Sequence, residues 1–223
     1  VLLQLRTMAA GGLYDHLGGG FHRYAVDGEW KIPHFEKMLY DNAQLVRIYL
    51  DGWRLTKEER FRQVVEETLD YVRREMTHPD GGFFAAQDAD SEGHEGKFFL
   101  WTPDQIISVL GAELGGEFCR SYGVTESGNF EGKNVLLRLE GSGLSAEDQE
   151  TAESILRPAR MKLLAERERR VKPQRDENIL TSWNAMMISA FFDAAMTFGV
   201  PAYRAAAENA LTYLVDYAFA NGR

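Results

Sequence analysis

Two stretches of this chain are apolar around nearly their whole girth, and each is followed at once by a helix with one wet face. From Phe35 to Trp53 the stripe Phe35, Met38, Leu39, Val46, Tyr49, Leu50 and Trp53 is joined by Tyr40, Leu45 and Ile48 lying off it. From Thr181 to Phe198 come Trp183, Met186, Met187, Ile188, Ala190, Phe191, Phe192, Ala194 and Phe198. A helix without a polar face has to be covered by neighbours. After Thr56 the apolar positions Phe61, Val64, Val65, Leu69, Val72 and Met76 fall on one side and Glu58, Arg62, Glu66, Glu67, Asp70, Arg73 and Arg74 on the other. From Pro201 to Asn221 the stripe is Tyr203, Ala207, Ala210, Leu211, Leu214 and Val215, with Gly222 as the stop. Each buried helix paired with a one-faced helix makes a hairpin. Repeating the hairpin builds an inner and an outer ring of helices. The pattern predicts an all-α fold, an α/α toroid or a part of one.

Further helices are expected over Leu2 to Ala10, over Pro103 to Leu110 with a Thr102/Gln105 cap, and from about Ser145 to Arg170, kinked or restarted at Pro158. Thr56 and Glu59 read as a second capping box, and Glu166 through Arg170 as a solvated face. Short β pieces are expected at Phe98 to Trp101 and Val135 to Leu139. Gly-rich loops fill Gly11 to Gly28, Gly81 to Gly96 and Gly111 to Gly132. Such loops over a rigid helical frame commonly build a ligand mouth. No linker divides the sequence, so residues 1–223 read as one domain, cut from a longer protein.

Charge and composition narrow the function. The formal net charge of −9 and the lack of a basic run argue against nucleic acid as a partner. No apolar run approaches the roughly 20 residues of a membrane span and no signal peptide opens the chain, so no membrane partner and a cytoplasmic setting are expected. Cys119, the single cysteine, has no internal disulfide partner and reads as an inert buried thiol. Walker, nucleophile-elbow and zinc-protease motifs are missing, and no cofactor or metal is expected.

Chemistry-bearing residues gather in three places. The first runs from Gly18 through Phe21-His22-Arg23-Tyr24 to Pro33-His34-Phe35-Glu36-Lys37-Met38-Leu39-Tyr40-Asp41-Asn42. On a helical wheel His34 and Asp41 lie within about 20° of each other, with Lys37 beside them. A histidine near a carboxylate can move protons at neutral pH, and an ion pair with a helix cap is the structural alternative. The second is Gln87 to Lys97. It begins like a calcium loop, with Asp88, Asp90 and Glu92 at positions one, three and five, but Phe99 takes the place of the bidentate Glu. An irregular cation site, a catalytic carboxylate pair and a loop tied by its own carboxylates stay open. The third is Arg175 to Asn184, where Trp183 could stack on a sugar and Asn184 bind a hydroxyl, or both could belong to the core.

The runs Gly11 to Tyr24, Trp30, Pro33 to Leu45, Asp88 to Trp101 and Leu180 to Ser189 resemble the YyaL-type family, which includes the spermatogenesis-associated thioredoxin-like proteins. The chain departs from that family at Asp176-Glu177-Asn178, where Asp-Asp-Lys is usual. The resemblance implies a thioredoxin-like domain upstream, to which this chain would be joined, and an (α/α)6 toroid, of which this chain would cover only a part, similar to N-acylglucosamine 2-epimerases and six-hairpin glycosidases. The expected function is action on a small-molecule sugar or glycan, as epimerase, isomerase or hydrolase. His22, His34, Asp41, Asp88 and Asp90 are the catalytic candidates, and Arg23, Trp183 and Asn184 the substrate-binding ones. The alternative is a non-catalytic module that binds a glycan or a protein.

Overall fold

The computed structural model describes residues 1–138 and 146–220, with side chains over 1–138 and 151–217. Its eight helices are α1 (Leu2–Ala10), α2 (Leu39–Thr56), α3 (Glu59–Glu75), α4 (Pro103–Leu110), α5 (Ala112–Ser121), α6 (Ala146–Arg167), α7 (Thr181–Phe198) and α8 (Pro201–Ala220). The strands are two residues each: β1 (Tyr24–Ala25), β2 (Pro33–His34), β3 (Lys37–Met38), β4 (Ala86–Gln87), β5 (Asp90–Ser91), β6 (His94–Glu95) and β7 (Arg175–Asp176). They form antiparallel pairs β1–β2 and β5–β6 and a three-stranded sheet β3–β4–β7. The architecture is mainly α and toroid-like. Inner helices α2 and α7 pack side by side, and each is backed by the helix that follows it, α3 or α8.

The expected stripe of α3 is buried: Phe61, Val64, Val65, Leu69, Val72 and Met76 are all at 0–1% exposure. Burying an aliphatic side chain of this size contributes about 1.5–3 kcal/mol. On α8 the stripe is narrower than the sequence suggests. Tyr203, Ala207 and Ala210 are buried, while Leu211 and Val215 are 45% and 43% exposed. The expected stop at Gly222 lies outside the described residues.

The Thr56/Glu59 capping box does not form. Only Lys57 and Glu58 separate α2 from α3, and Lys57 closes α2 in the left-handed region at φ 61°. Thr56 donates to the Gly52 carbonyl and accepts from the Glu58 amide, so it serves the end of the first helix. The Thr102/Gln105 box does form.

A second core joins α4, α5 and α6 through Trp101, Ile106, Phe118, Tyr122, Leu156 and Leu163. Helix α5 occupies a segment whose glycines read as loop. Gly115 is there for contact, since a Cβ would lie 2.9 Å from the Ile107 Cα. Pro158 sits inside a continuous α6. The run Glu166 to Arg170 is not wholly solvated, because Arg167 points inward at 3% exposure. Of the expected β pieces, Trp101 makes only an isolated bridge to Asn134, residues 135–138 form no strand, and Leu139 lies outside the described residues.

The two inner helices carry the same device. In α2, Asn42 accepts the Phe21 amide (2.7 Å) and donates to the carbonyls of Phe21 (3.1 Å) and Met38 (2.9 Å). In α7, Asn184 accepts the Phe83 amide (2.7 Å) and donates to the carbonyls of Phe83 (2.9 Å) and Leu180 (3.1 Å). Phe21 stacks on Tyr49 and Phe83 on Phe191, each partner two helical turns beyond its asparagine. Each asparagine thus pins the loop that reaches over its helix. Either Asn42→Ala or Asn184→Ala strands a buried peptide N–H and C=O, so each variant should lose about 2–4 kcal/mol. Urea unfolding of the two variants measures this, and a loss below about 1 kcal/mol in both would show the clamps to be dispensable.

Candidate active-site rim

The loop 11–24 carries Asp15 into the protein, where its carboxylate is held from two sides. Lys37 Nζ donates to Oδ2 at 2.8 Å, and Arg167 donates to Oδ1 at 2.8 Å and to Oδ2 at 2.9 Å. The amides of Leu17 and Gly18 add two more bonds, each 3.1 Å. Burial alone would raise the Asp15 pKa, but Arg167 and Lys37 hold it well below the usual carboxylate range. Lys37 is pushed down to about 8 by burial, against the pull of Asp15. Its ammonium also donates to the Gly19 carbonyl and lies 4.2 Å from the Tyr71 ring centroid. Lys37 is therefore an internal tie and not part of a polar stripe beside His34.

His22 belongs to this interior. It is 3% exposed, donates from Nδ1 to the Phe35 carbonyl at 2.9 Å, and meets the rings of Phe35 and Phe99 edge-on. Burial, then the Lys37 charge, lowers its pKa to about 3. An imidazole so enclosed stays neutral across the physiological range, and the acid–base expectation for His22 is corrected to a structural one.

His34 and Asp41 do not share a helix face. Pro33–His34 and Lys37–Met38 are strands, and the helix begins only at Leu39. In extended backbone alternate residues face opposite ways. Phe35 and Lys37 are buried at 1%, so His34 and Glu36 turn outward. His34 Nδ1 bonds Glu95 Oε1 at 2.6 Å, its Nε2 is 3.7 Å from Glu36, and its ring stacks on Tyr24. Arg23 pairs with Glu36 at 2.9 Å and interacts with the Tyr40 hydroxyl. Tyr40 in turn packs against Trp183 with ring centroids 4.7 Å apart. A continuous band thus runs from Trp183 through Tyr40, Arg23 and Glu36 to His34 and Glu95, over the N-terminal ends of α2 and α7.

Asp41 stands in the first turn of α2, within electrostatic reach of Arg23 and Glu36. Its Oδ2 is buried without a hydrogen-bond partner. Burial raises its pKa to about 6, with Glu36 adding to the rise and Arg23 opposing it.

The Asp-rich loop is a tight hairpin. Asp90–Ser91 pairs with His94–Glu95 across Glu92 and Gly93, both at positive φ (53° and 76°), the geometry of a two-residue type I′ turn. Asp88 and Asp90 are exposed, and Asp88 Oδ1 accepts the Asp90 amide at 3.3 Å. Asp88 lies between β4 and β5 and bonds the amide of Asp90 two residues on, so the two do not face each other across a substrate, and the carboxylate-pair expectation is corrected to a self-tied loop. Among the described residues no cluster of His, Cys, Asp or Glu could hold a metal ion. Glu95, opposite Asp90 in the hairpin, is the acid that reaches His34. Asn184 is also corrected, since its amide is spent on Phe83 and Leu180 and has nothing left for a sugar hydroxyl. Glu36, Tyr40 and Glu95 were not singled out in the sequence. Period-two alternation from His34 to Lys37 and the two-residue Glu-Gly turn were the signals for them.

No protein-family model matches the chain. Spermatogenesis-associated protein 20 of Rattus norvegicus is 35% identical over 245 residues, which are 96% of this chain and 31% of the rat protein. The Homo sapiens protein of that name is 35% identical over 250 residues, 98% of this chain and 32% of its own length. An uncharacterised Caenorhabditis elegans protein is 34% identical over 247 residues, 98% of this chain and 34% of its own. The chain spans about a third of the length of these curated relatives. Among solved structures, a crystal structure of D-mannose isomerase aligns with 94% of this chain and 50% of its own at 14% identity and a TM-score of 0.33, too slight a likeness to carry an argument. Identity of 33–35% along nearly the whole chain makes it a homologue of about a third of spermatogenesis-associated protein 20.

Proposed function

We propose that the band over α2 and α7 is the rim of a sugar-binding site and that Asp41 is the acid–base group of a sugar isomerase or epimerase. The observation that carries this is the Asp41 carboxyl: buried at Oδ2, unpartnered, and shifted to about 6. A general base is most effective with a pKa near the working pH. As carboxylate it would take the proton from the hydroxyl-bearing carbon beside a sugar carbonyl and return it to the carbonyl carbon, while the hydroxyl proton passes to the former carbonyl oxygen; in an epimerase the same carbon is reprotonated from its other face by a second acid, and Asp41 gives its proton up to solvent. The cycle is neutral in atoms and electrons. Arg23 would face the oxyanion that forms in between, and Trp183 with Tyr40 would stack on the apolar face of the ring. A glycosidase is supported less, because it needs two carboxylates flanking one bond. The same proposal takes residues 1–223 as one domain of an (α/α)6 ring that further hairpins would close, attached to a thioredoxin-like domain.

Stability and turnover should move in opposite directions at Asp41. Its folded pKa, about 6, is raised above the ordinary 3.8, so ionisation costs the folded state. The cost is absent below about pH 4, grows as the pH rises to about 6, and is complete above that. Asp41→Asn should therefore be the more stable protein at pH 8 by about 1 kcal/mol, after allowance for its half-exposed site, with the gain gone at pH 4. Turnover of aldose and ketose substrates should fall about 10²–10⁴-fold. Melting curves at both pH values, with mass analysis of the sugars, test this. A destabilised Asp41→Asn protein with normal turnover sinks the assignment, while sugar binding without any product would favour the non-catalytic glycan module.

A further inference from the structure

A cleft of about 370 Å³ opens beside the turn of the β5–β6 hairpin and the end of α6. Lys97, Lys133, Arg169 and Arg170 line it, against a single carboxylate, Glu92, in a chain whose net charge is −9. Two of these cations have carboxylate partners of their own, Lys97 with Glu92 and Arg169 with Glu166, both 2.9 Å. These pairs are solvent-exposed and hold weakly. Lys133 and Arg170 have no carboxylate within ion-pair distance among the described residues. Arg170 is fixed by the carbonyls of Phe98 (2.9 Å) and Leu100 (2.8 Å) and by the Trp101 ring 3.9 Å away, contacts that orient its charge without neutralising it. Burial, then the neighbouring Arg167, lowers its pKa to about 10, against the pull of Glu166. Phe98, Leu100 and Val171 give the cleft an apolar lining.

From this juxtaposition we infer that the cleft binds the phosphate group of a small organic phosphomonoester, with Arg170 as its fixed cation and Lys133 as a second cation beside it. Lys97 and Arg169 exchange their surface carboxylates for the ligand. A guanidinium held by two carbonyls presents its remaining N–H groups in the fork that suits phosphate oxygens. The apolar lining makes a carried phosphate a better occupant than the bare ion.

Titration calorimetry of the full chain with glycerol 3-phosphate, inorganic phosphate and glycerol, at fixed ionic strength, tests the inference. Saturable one-to-one binding of glycerol 3-phosphate is expected, tighter than inorganic phosphate, with no heat from glycerol. Lys133→Glu should weaken it by about tenfold or more, and Glu92→Gln, which removes the competing carboxylate, should tighten it about two- to threefold. Asp41→Asn should leave it unchanged, so failure here and failure at the rim are told apart. Because Lys133 makes no side-chain tie among the described residues, its variant should keep the parent circular dichroism spectrum. Equal affinity for inorganic phosphate overturns the organic ligand. Unchanged affinity in Lys133→Glu, or no saturable binding at all, overturns the site.

Discussion

The buried Asp15 carboxylate, held by Lys37 and Arg167, is the interaction from which the outer geometry follows. Three charges are taken out of solvent there, and the arrangement survives because every formal partner is within 2.9 Å. The surplus positive charge meets the Gly19 carbonyl and the faces of Tyr71, Phe98 and Phe99. Removing one member of such a set leaves a bare buried charge, a loss of about 3–5 kcal/mol. The geometric effect matters as much. Drawing Lys37 inward fixes the pleat of residues 34–37, and the alternation then sends His34 and Glu36 outward to Glu95 and Arg23. The rim is therefore set by a bond made beneath it, from Lys37 to a residue 22 positions earlier in the chain, which is itself held by Arg167, 152 positions beyond it.

The asparagine clamps do for the loops what the Asp15 set does for the strand. A side-chain amide that bonds both the N–H and the C=O of one residue copies a β-ladder pair, so Phe21 and Phe83 are held as if by a neighbouring strand. Each clamp sits one turn into an inner helix and spends a third bond on the residue that opens it. Placing the same device on α2 and α7 puts two long loops over the same end of the helix pair. Tyr40 of one helix can then meet Trp183 of the other.

Local signals in the sequence located most helices. The bounds of α1, α4 and α7 fall where caps and stripes put them, because a turn of helix is decided by residues three or four apart. What escaped was decided at long range. The segment from His34 to Met38 has a helical apolar spacing, yet it is extended because Lys37 has a buried partner in another loop and β3 pairs with β4. Arg167 looks like one more charge in a solvated run until Asp15 is placed beside it. Gly115 has the composition of a loop, and only the approach of Ile107 explains it as helix. The third cluster was legible as a pair of residue types, Trp183 and Asn184, but not in its division of labour. Asn184 faces Phe83 and is spent there, whereas Trp183 remains at the surface against Tyr40.

Burial acts on His22 and Asp41 by one rule and leaves them in opposite roles. In both, low polarity disfavours the charged form. For the imidazole the neutral form is the deprotonated one, so burial carries its pKa down to about 3, away from neutrality, and fixes a single state. For the carboxyl the neutral form is the protonated one, so burial carries its pKa up to about 6, where small changes in surroundings decide whether the proton stays. A fully enclosed histidine with its Nδ1 spoken for has no proton to trade. A half-enclosed acid with one oxygen unclaimed can exchange its proton with whatever lies over the rim. The contrast turns on which protonation state carries the charge, and it is why we propose Asp41 for the chemistry, although the histidines are the more conspicuous residues in the sequence.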